Sequence, residues 1–366
     1  MIEFKSFLNL FKKNKISFFT GVPDSVLKDL SVYLESKNKK NHVIASNEGS
    51  AVGIGIGYHL STKKIPCVYM QNSGLSNAIN PLISIANKKV YSIPIVLVIG
   101  WRGSPKIKDE PQHKLKGKIT INLLKLLGIK FAVLRKKSDL EKFNKLIKSA
   151  KKNNSTVACL LENGTLKSDI KKVNKIDKYK LKKETFLFEL LKKVDKKTRI
   201  ISSTGFNSRE MMYIRKKYSI NNGRDFYMVG GMGHTSSVSL GYSLFKKTQT
   251  ICIDGDGSLL MHLGSIKTAG TFADKNFKFI LLNNNAHDSV GGQVTHAKTI
   301  NFNKLSKSLG FKNYFCINKS RDIKNKVNLF LKNRGLNFLE VRVSSNKSRN
   351  LPRPSDLIKI KKSFMN

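Results

Sequence analysis

Acidic residues are scarce in this chain. Its 366 residues carry 24 Asp and Glu against 68 Lys and Arg, a formal charge of +44. A surplus of that size raises the question of nucleic acid, because clustered Lys and Arg bind phosphates by releasing counterions. Here the lysines are dispersed: Lys12-Lys13, Lys39-Lys40, Lys63-Lys64, Lys151-Lys152 and Lys361-Lys362 mark them along the whole length. No nucleic-acid module accompanies them. A basic nucleic-acid-binding protein is therefore the remote reading, and a positive field that draws in small anionic substrates is the nearer one.

Cysteine is scarce too. The four residues Cys67, Cys159, Cys252 and Cys316 lie far apart, three of them in apolar, strand-like runs. That spacing excludes a disulfide framework and a zinc site and fits buried thiols in a reducing compartment. Long apolar runs are lacking: none approaches bilayer-spanning length, and the N-terminus has no signal-peptide core. The expectation is a soluble, cytoplasmic protein with no membrane partner. The hydrophobic fraction, 40%, is still enough for a core, and the length suggests two domains.

What is present is a regular alternation. Strand candidates fall at Ile16–Thr20, Val43–Ala45, Cys67–Met70, Ile95–Ile99, Phe131–Leu134 and Val157–Leu161, with helical spacing between them. A second series runs through Ile200–Ser203, Phe226–Val229, Thr250–Ile253, Phe277–Leu282 and Phe338–Val343. Strands alternating with helices predict an α/β fold, each half a mostly parallel sheet covered by helices on both faces. The expected organisation is a domain over residues 1–165, a lysine-rich linker over 166–185 and a second domain over 186–366. The tail from Ser344 onward reads as polar, basic surface loop.

The chemistry is densest in Ile251–Asn284. An apolar run feeds the turn Asp254-Gly255-Asp256-Gly257-Ser258, a helical stretch follows, and a second apolar run ends at Asn283-Asn284. In a parallel sheet both polar strand ends lie at one edge, where ligands of open α/β sheets bind. Asp256 offers a hard carboxylate, Asn284 a neutral amide oxygen, and the glycines let backbone N–H groups approach a phosphate. That set suits Mg²⁺ holding a diphosphate. Upstream, Glu48 follows a strand candidate and precedes the small-residue helix Ala51–Tyr58. The glycines there lack the spacing of a dinucleotide fingerprint and suit close backbone packing.

The pair Gly255-Asp256-Gly257-Ser258 and Asn283-Asn284, with 28 residues from Asp256 to Asn284, resembles the motif of the thiamine-diphosphate-dependent decarboxylases. Asn47-Glu48-Gly49 is similar to the pyrimidine-binding segment of the same family. The blocks Phe19–Ser25, Asn72–Pro81, Ile99–Gly103, Lys108–His113, Gly230–His234 and Leu282–Gly292 narrow the resemblance to the branch acting on 3-phosphonopyruvate, across both halves of the chain. The fold implied is two thiamine-diphosphate-binding domains, the first binding the pyrimidine and the second the diphosphate and Mg²⁺.

The resemblance implies roles residue by residue. Glu48 would hydrogen-bond the aminopyrimidine of thiamine diphosphate. Asp256, the Asn284 side chain and the Ala286 carbonyl would hold Mg²⁺, with the triple Asn283-Asn284-Asn285 leaving the register open. Asn285 stands where the family usually has glycine. Gly255, Gly257 and Ser258 would meet the diphosphate, Gly230 and Met232 would position the cofactor, and Gly205 would sit in a diphosphate-side loop. That loop has Phe206-Asn207 where Lys-Thr is expected. Asp24 and His113 would move protons near the substrate. Arg102, Lys106 and Lys108 are the candidate cations for a phosphonate, and His287, Asp288 and Ser289 would line the pocket. The activity implied is decarboxylation of 3-phosphonopyruvate to phosphonoacetaldehyde, feeding phosphonates of the 2-aminoethylphosphonate type. Sulfopyruvate decarboxylation, or another 2-keto-acid decarboxylase or carboligase, is the alternative. A homodimer or higher homo-oligomer with active sites at the interface is the implied assembly.

Overall fold

The computed structural model describes residues 1–38, 40–105, 107–167, 179–345 and 351–366. The chain divides into two compact units, Met1–Val173 and Asn174–Asn366. Unit 1 is built on β1 (Phe19–Gly21), β2 (His42–Ile44), β3 (Cys67–Gln71), β4 (Val96–Gly100), β5 (Lys130–Leu134) and β6 (Val157–Leu161). Unit 2 is built on β7 (Arg199–Ser202), β8 (Arg224–Tyr227), β9 (Thr250–Gly255), β10 (Phe277–Asn283), β11 (Asn313–Ile317) and β12 (Asn337–Arg342). The first sheet runs in the order β2-β1-β3-β4-β6-β5 and the second in the order β8-β7-β9-β10-β12-β11. Every pairing in both is parallel. The two halves thus repeat one topology.

Each sheet is buried on both faces, which explains why its strands read as apolar runs rather than alternating ones. In β3, Cys67 and Tyr69 enter one core while Val68 and Met70 enter the other. In β9, Ile251 and Ile253 face one cluster and Cys252 the opposite one. Cys67, Cys159 and Cys252 are buried free thiols and Cys316 is half-buried. Strand order reverses between β1 and β3 in unit 1 and between β7 and β9 in unit 2. Those switch points open crevices at the carboxyl edge, and the loops that leave the strands there carry the polar residues discussed below.

Three sequence expectations need amendment. The edge strand β11 was not among the strand candidates; it is half-exposed over most of its length, so it lacks the strong apolar signature of its neighbours. The expected linker is structured at its ends: Leu166-Lys167 pair in parallel with Ile2-Glu3, and a helix begins at Lys183. Its middle, 168–178, lies outside the described residues. The tail is not all loop, because Leu357–Met365 is a helix whose start is capped by Asp356. Its buried Phe364 packs on Phe226 and Tyr242 at 5.6 and 5.0 Å between ring centres. Leu357, Ile360 and Phe364 share one helical face, which is what docks it. Among the described residues, no helix is long and apolar enough to cross a membrane.

Candidate active site

In unit 1 the polar groups gather around the segment that leaves β3. Glu48 is the first residue of the helix Glu48–Thr62, whose cap Asn47 accepts from the Ser50 N–H at 2.8 Å. The Glu48 carboxylate is 6% exposed and accepts from Asn77 Nδ2 at 2.9 Å. Gly74 lies against it so closely that an added Cβ would stand 2.1 Å from Glu48 Oε1. Asp24, fully buried, receives Gln71 Nε2 at 2.5 Å and the N–H groups of Val26 and Leu27 at 3.1 and 3.2 Å. Burial raises its pKa against the lowering effect of those donors and of Arg102, so Asp24 tends to hold a proton.

The candidate phosphonate cations fare differently. Arg102 is clamped two-pronged by Asp109, at 2.7 and 2.5 Å, and its remaining arm donates to Ser25 at 3.1 Å. Burial would raise Asp109, but the Arg102 fork and the N–H groups of Glu110 and Gly103 outweigh it and hold that carboxyl well below its usual range. Arg102 is therefore first a brace of its loop. Lys108 is exposed, and Lys106 lies outside the described residues. His113 is half-buried in the helix Pro111–Leu126. That helix is seated by Trp101 Nε1 donating to the Gly117 carbonyl at 3.0 Å and by the absence of a side chain at Gly103, where a Cβ would collide with the His113 carbonyl.

In unit 2 the carboxyl ends of β7, β9 and β10 open onto one cavity. Its walls include Met232, Gly255, Asp256, Gly257, Ser258, Asn284, Ala286, His287, Asp288 and Ser289, all singled out from sequence, together with Lys183, Ser203, Thr204, Phe206, Asn207 and Leu282. Gly205 and Gly230 are not on the wall. Gly205 has a positive φ of +85, which favours glycine, with Ser289 beside the place a Cβ would occupy. The Gly230–His234 loop is tied to the Asp254–Ser258 turn where Gly233 N–H donates to Ser258 Oγ at 3.0 Å.

Asp256 is 2% exposed, and Thr295 Oγ1 donates to its Oδ2. Burial drives its pKa up to about 7; the Thr295 hydroxyl and backbone N–H groups work against this, and the nearby Asp288 charge adds to it. Among the described residues no Lys or Arg forms an ion pair with that carboxylate, so burial weighs on its charged form. Asp254 beneath it is also buried and raised to about 6 by desolvation, against hydroxyl and N–H donors that include Ser258 and Gly255.

The asparagine triple separates by direction. Asn283 is buried and donates to Glu340 Oε1 at 2.8 Å. Asn284 faces the cavity, donating to Asp288 Oδ2 at 2.6 Å and accepting from Ala286 N–H at 3.1 Å. Asn285 adopts φ +58, the left-handed turn that asparagine tolerates better than most residues. Among the described residues no three His, Cys, Asp or Glu side chains converge to hold a metal. A cation here would rest on one carboxylate, an amide and carbonyl oxygens, completed by its ligand's phosphates, a donor set that fits Mg²⁺.

Residues 4–124 match the N-terminal TPP binding domain of the thiamine pyrophosphate enzymes, and residues 204–341 match the C-terminal TPP binding domain. The phosphonopyruvate decarboxylase of Streptomyces viridochromogenes is 31% identical over 81% of this chain and 77% of its own length. The chain belongs to the thiamine pyrophosphate enzymes. A phosphonopyruvate decarboxylase of Streptomyces hygroscopicus is 29% identical over 81% of this chain and 76% of its own. A sulfopyruvate decarboxylase of Methanosarcina acetivorans is 25% identical over 91% and 89%. The two matched domains make thiamine diphosphate the cofactor of this thiamine pyrophosphate enzyme, and relatives of both kinds support decarboxylation of a keto acid.

Several residues at these edges had no role in the sequence reading. Gln71 and Asn77 hold Asp24 and Glu48, Asp109 clamps Arg102, Thr295 tethers Asp256, and Lys183 enters the cavity. The sequence block Asn72–Pro81 is the one signal that points to Asn77.

Proposed function

We propose that this thiamine pyrophosphate enzyme decarboxylates 3-phosphonopyruvate to phosphonoacetaldehyde and CO₂ with thiamine diphosphate and Mg²⁺. The observation that carries the reading is the buried Asp256 carboxylate, without an ion-pair partner among the described residues, beside Asn284 on the cavity wall. Asp256, the Asn284 side chain and the Ala286 carbonyl would hold the cation, and the backbone at Gly255, Gly257 and Ser258 would meet the diphosphate. When bound, thiamine diphosphate supplies an electron sink for the carbon–carbon bond that breaks. Glu48, fixed by Asn77, would hydrogen-bond the aminopyrimidine ring. The carbon that loses CO₂ must take up one proton, and Asp24, kept inclined to hold one by burial, delivers it with His113.

Phosphonate is the favoured anion because the two Streptomyces relatives that match most of both chains are named for it. The product would feed phosphonates of the 2-aminoethylphosphonate type. Sulfopyruvate is the second reading, supported by the Methanosarcina relative that matches nearly end to end. A homodimer or higher homo-oligomer is the proposed working form. It is supported by large apolar side chains left open on the single chain, such as Leu126 at 84% and Phe245 at 85% exposure. The test is turnover of 3-phosphonopyruvate, sulfopyruvate and pyruvate by the loaded enzyme. A kcat/KM at least tenfold higher for the phosphonate is expected, and a preference for either other acid overturns the substrate assignment.

A further inference from the structure

We propose that Lys183 is a phosphate-binding residue of the unit 2 cavity, donating to the diphosphate that binds there; this rests on the cofactor reading above. Lys183 opens the helix Lys183–Lys193 and lies ahead of residue 204, where the family match begins. Its side chain is only 4% exposed. Burying an ammonium is costly, and the first turn of a helix is the end whose dipole repels a cation. Its compensation inside the protein is thin. Nζ donates to Asn207 Oδ1 at 3.1 Å, and Glu210 Oε2 is 3.6 Å away, beyond the roughly 2.7–2.9 Å of a charge-assisted bond. An ammonium has three donors, so Lys183 retains capacity for another acceptor.

The cavity shows where that acceptor would be. Lys183 shares its wall with Asp256, Gly257, Ser258 and Asn284, and it is the only Lys or Arg among the described residues that line it. A diphosphate carries more negative charge than one divalent cation cancels, and Asp256 already claims part of that cation's charge. Lys183 supplies the remaining positive charge. Asn207 aims it: the amide accepts from Lys183 while its Nδ2 donates to Ser203 Oγ at 3.0 Å, and it lies against Gly255, where a Cβ would come within 3.2 Å.

The competing role is a purely structural ion pair with Glu210. Calorimetric titration of thiamine diphosphate with Mg²⁺ into the full chain separates the two. Lys183→Met should weaken binding about 10- to 100-fold, the worth of a charge-assisted bond, and Lys183→Arg should recover part of it. Glu210→Gln alone should change affinity by less than about threefold, within what loss of one modest bond allows. The double variant Lys183→Met/Glu210→Gln leaves no unpaired buried charge and should stay weak. Wild-type affinity in the double variant would overturn the proposal, since Lys183 would then serve only to neutralise Glu210. If the wild type takes up no thiamine diphosphate, the cofactor reading fails separately. Inorganic pyrophosphate with Mg²⁺ then decides the lysine: equal binding by wild type and Lys183→Met overturns it, and loss in the variant supports it.

Discussion

Gly74→Ala tests the placement of Glu48 without changing the chemistry of its carboxylate. Gly74 has φ −80 and ψ −12, a conformation alanine adopts freely. Alanine there should even stabilise slightly, by about 0.4–1 kcal/mol, through the less flexible unfolded chain. The obstacle is local. The new Cβ would stand 2.1 Å from Glu48 Oε1, 2.3 Å from Cδ and 2.5 Å from Cγ. Reaching an ordinary carbon–oxygen contact requires the carboxylate to move by over ~1 Å, since non-bonded atoms settle near 3.5 Å. The yielding group is the end of a side chain, so unfolding should register little. A misplacement of about 1 Å at a reacting centre can cost about 100-fold in rate. The expectation is therefore a melting temperature within about 3 °C of wild type, a change of under ~1 kcal/mol, with kcat down about 30- to 100-fold. Stopped-time measurement of aldehyde release, beside a thermal melt, reads both. A stable Gly74→Ala enzyme with wild-type kcat would refute the reasoning, because Glu48 could then be displaced without consequence.

The same argument applies in unit 2 at Gly257, where a Cβ would meet His287 Cε1 at 2.6 Å and Nδ1 at 2.7 Å. Gly257→Ala should cost about 1–3 kcal/mol in stability from overpacking and lower thiamine diphosphate–Mg²⁺ affinity at least tenfold by calorimetry; unchanged affinity would remove the turn from the binding site. A pH effect is expected from His42, which shares a 2.8 Å hydrogen bond with Tyr69 and is pushed down by burial from 6.5 to about 4. Between those values the unfolded chain binds more protons than the folded one, so its contribution is full above pH 6.5 and is lost as pH falls toward 4. The loss is on the order of 3 kcal/mol, and urea midpoints of wild type and His42→Gln should converge as the pH is lowered. Parallel curves would contradict it.

Much of the fold was legible because both sheets are buried on two faces. Runs such as Val157–Leu161 are continuous apolar strands in sequence and in structure. Asn313–Ile317 escaped because an edge strand need not be apolar on both sides, and Leu357–Met365 because three lysines interrupt the three residues that dock it. The cavity residues of unit 2 were legible since Asp256 and Asn284 close two ends of one strand–helix–strand unit. The residues that hold the acidic groups were not. Gln71 reaches Asp24 across 47 positions, Asn77 reaches Glu48 across 29 and Thr295 reaches Asp256 across 39. Such pairings are created by sheet order, which brings strand ends together irrespective of their distance in the chain. Lys183 illustrates the limit: in sequence it is one lysine among many, and only burial against a cavity distinguishes it.

The central claim is tested most directly by aldehyde release from 3-phosphonopyruvate, with thiamine diphosphate and Mg²⁺, by wild type and Glu48→Gln side by side. The account predicts steady turnover by the wild type that disappears without either cofactor, and a loss of about 100-fold or more in the variant, the scale of a lost proton-transfer contribution. An inactive wild type, or a Glu48→Gln enzyme as fast as its parent, would contradict it.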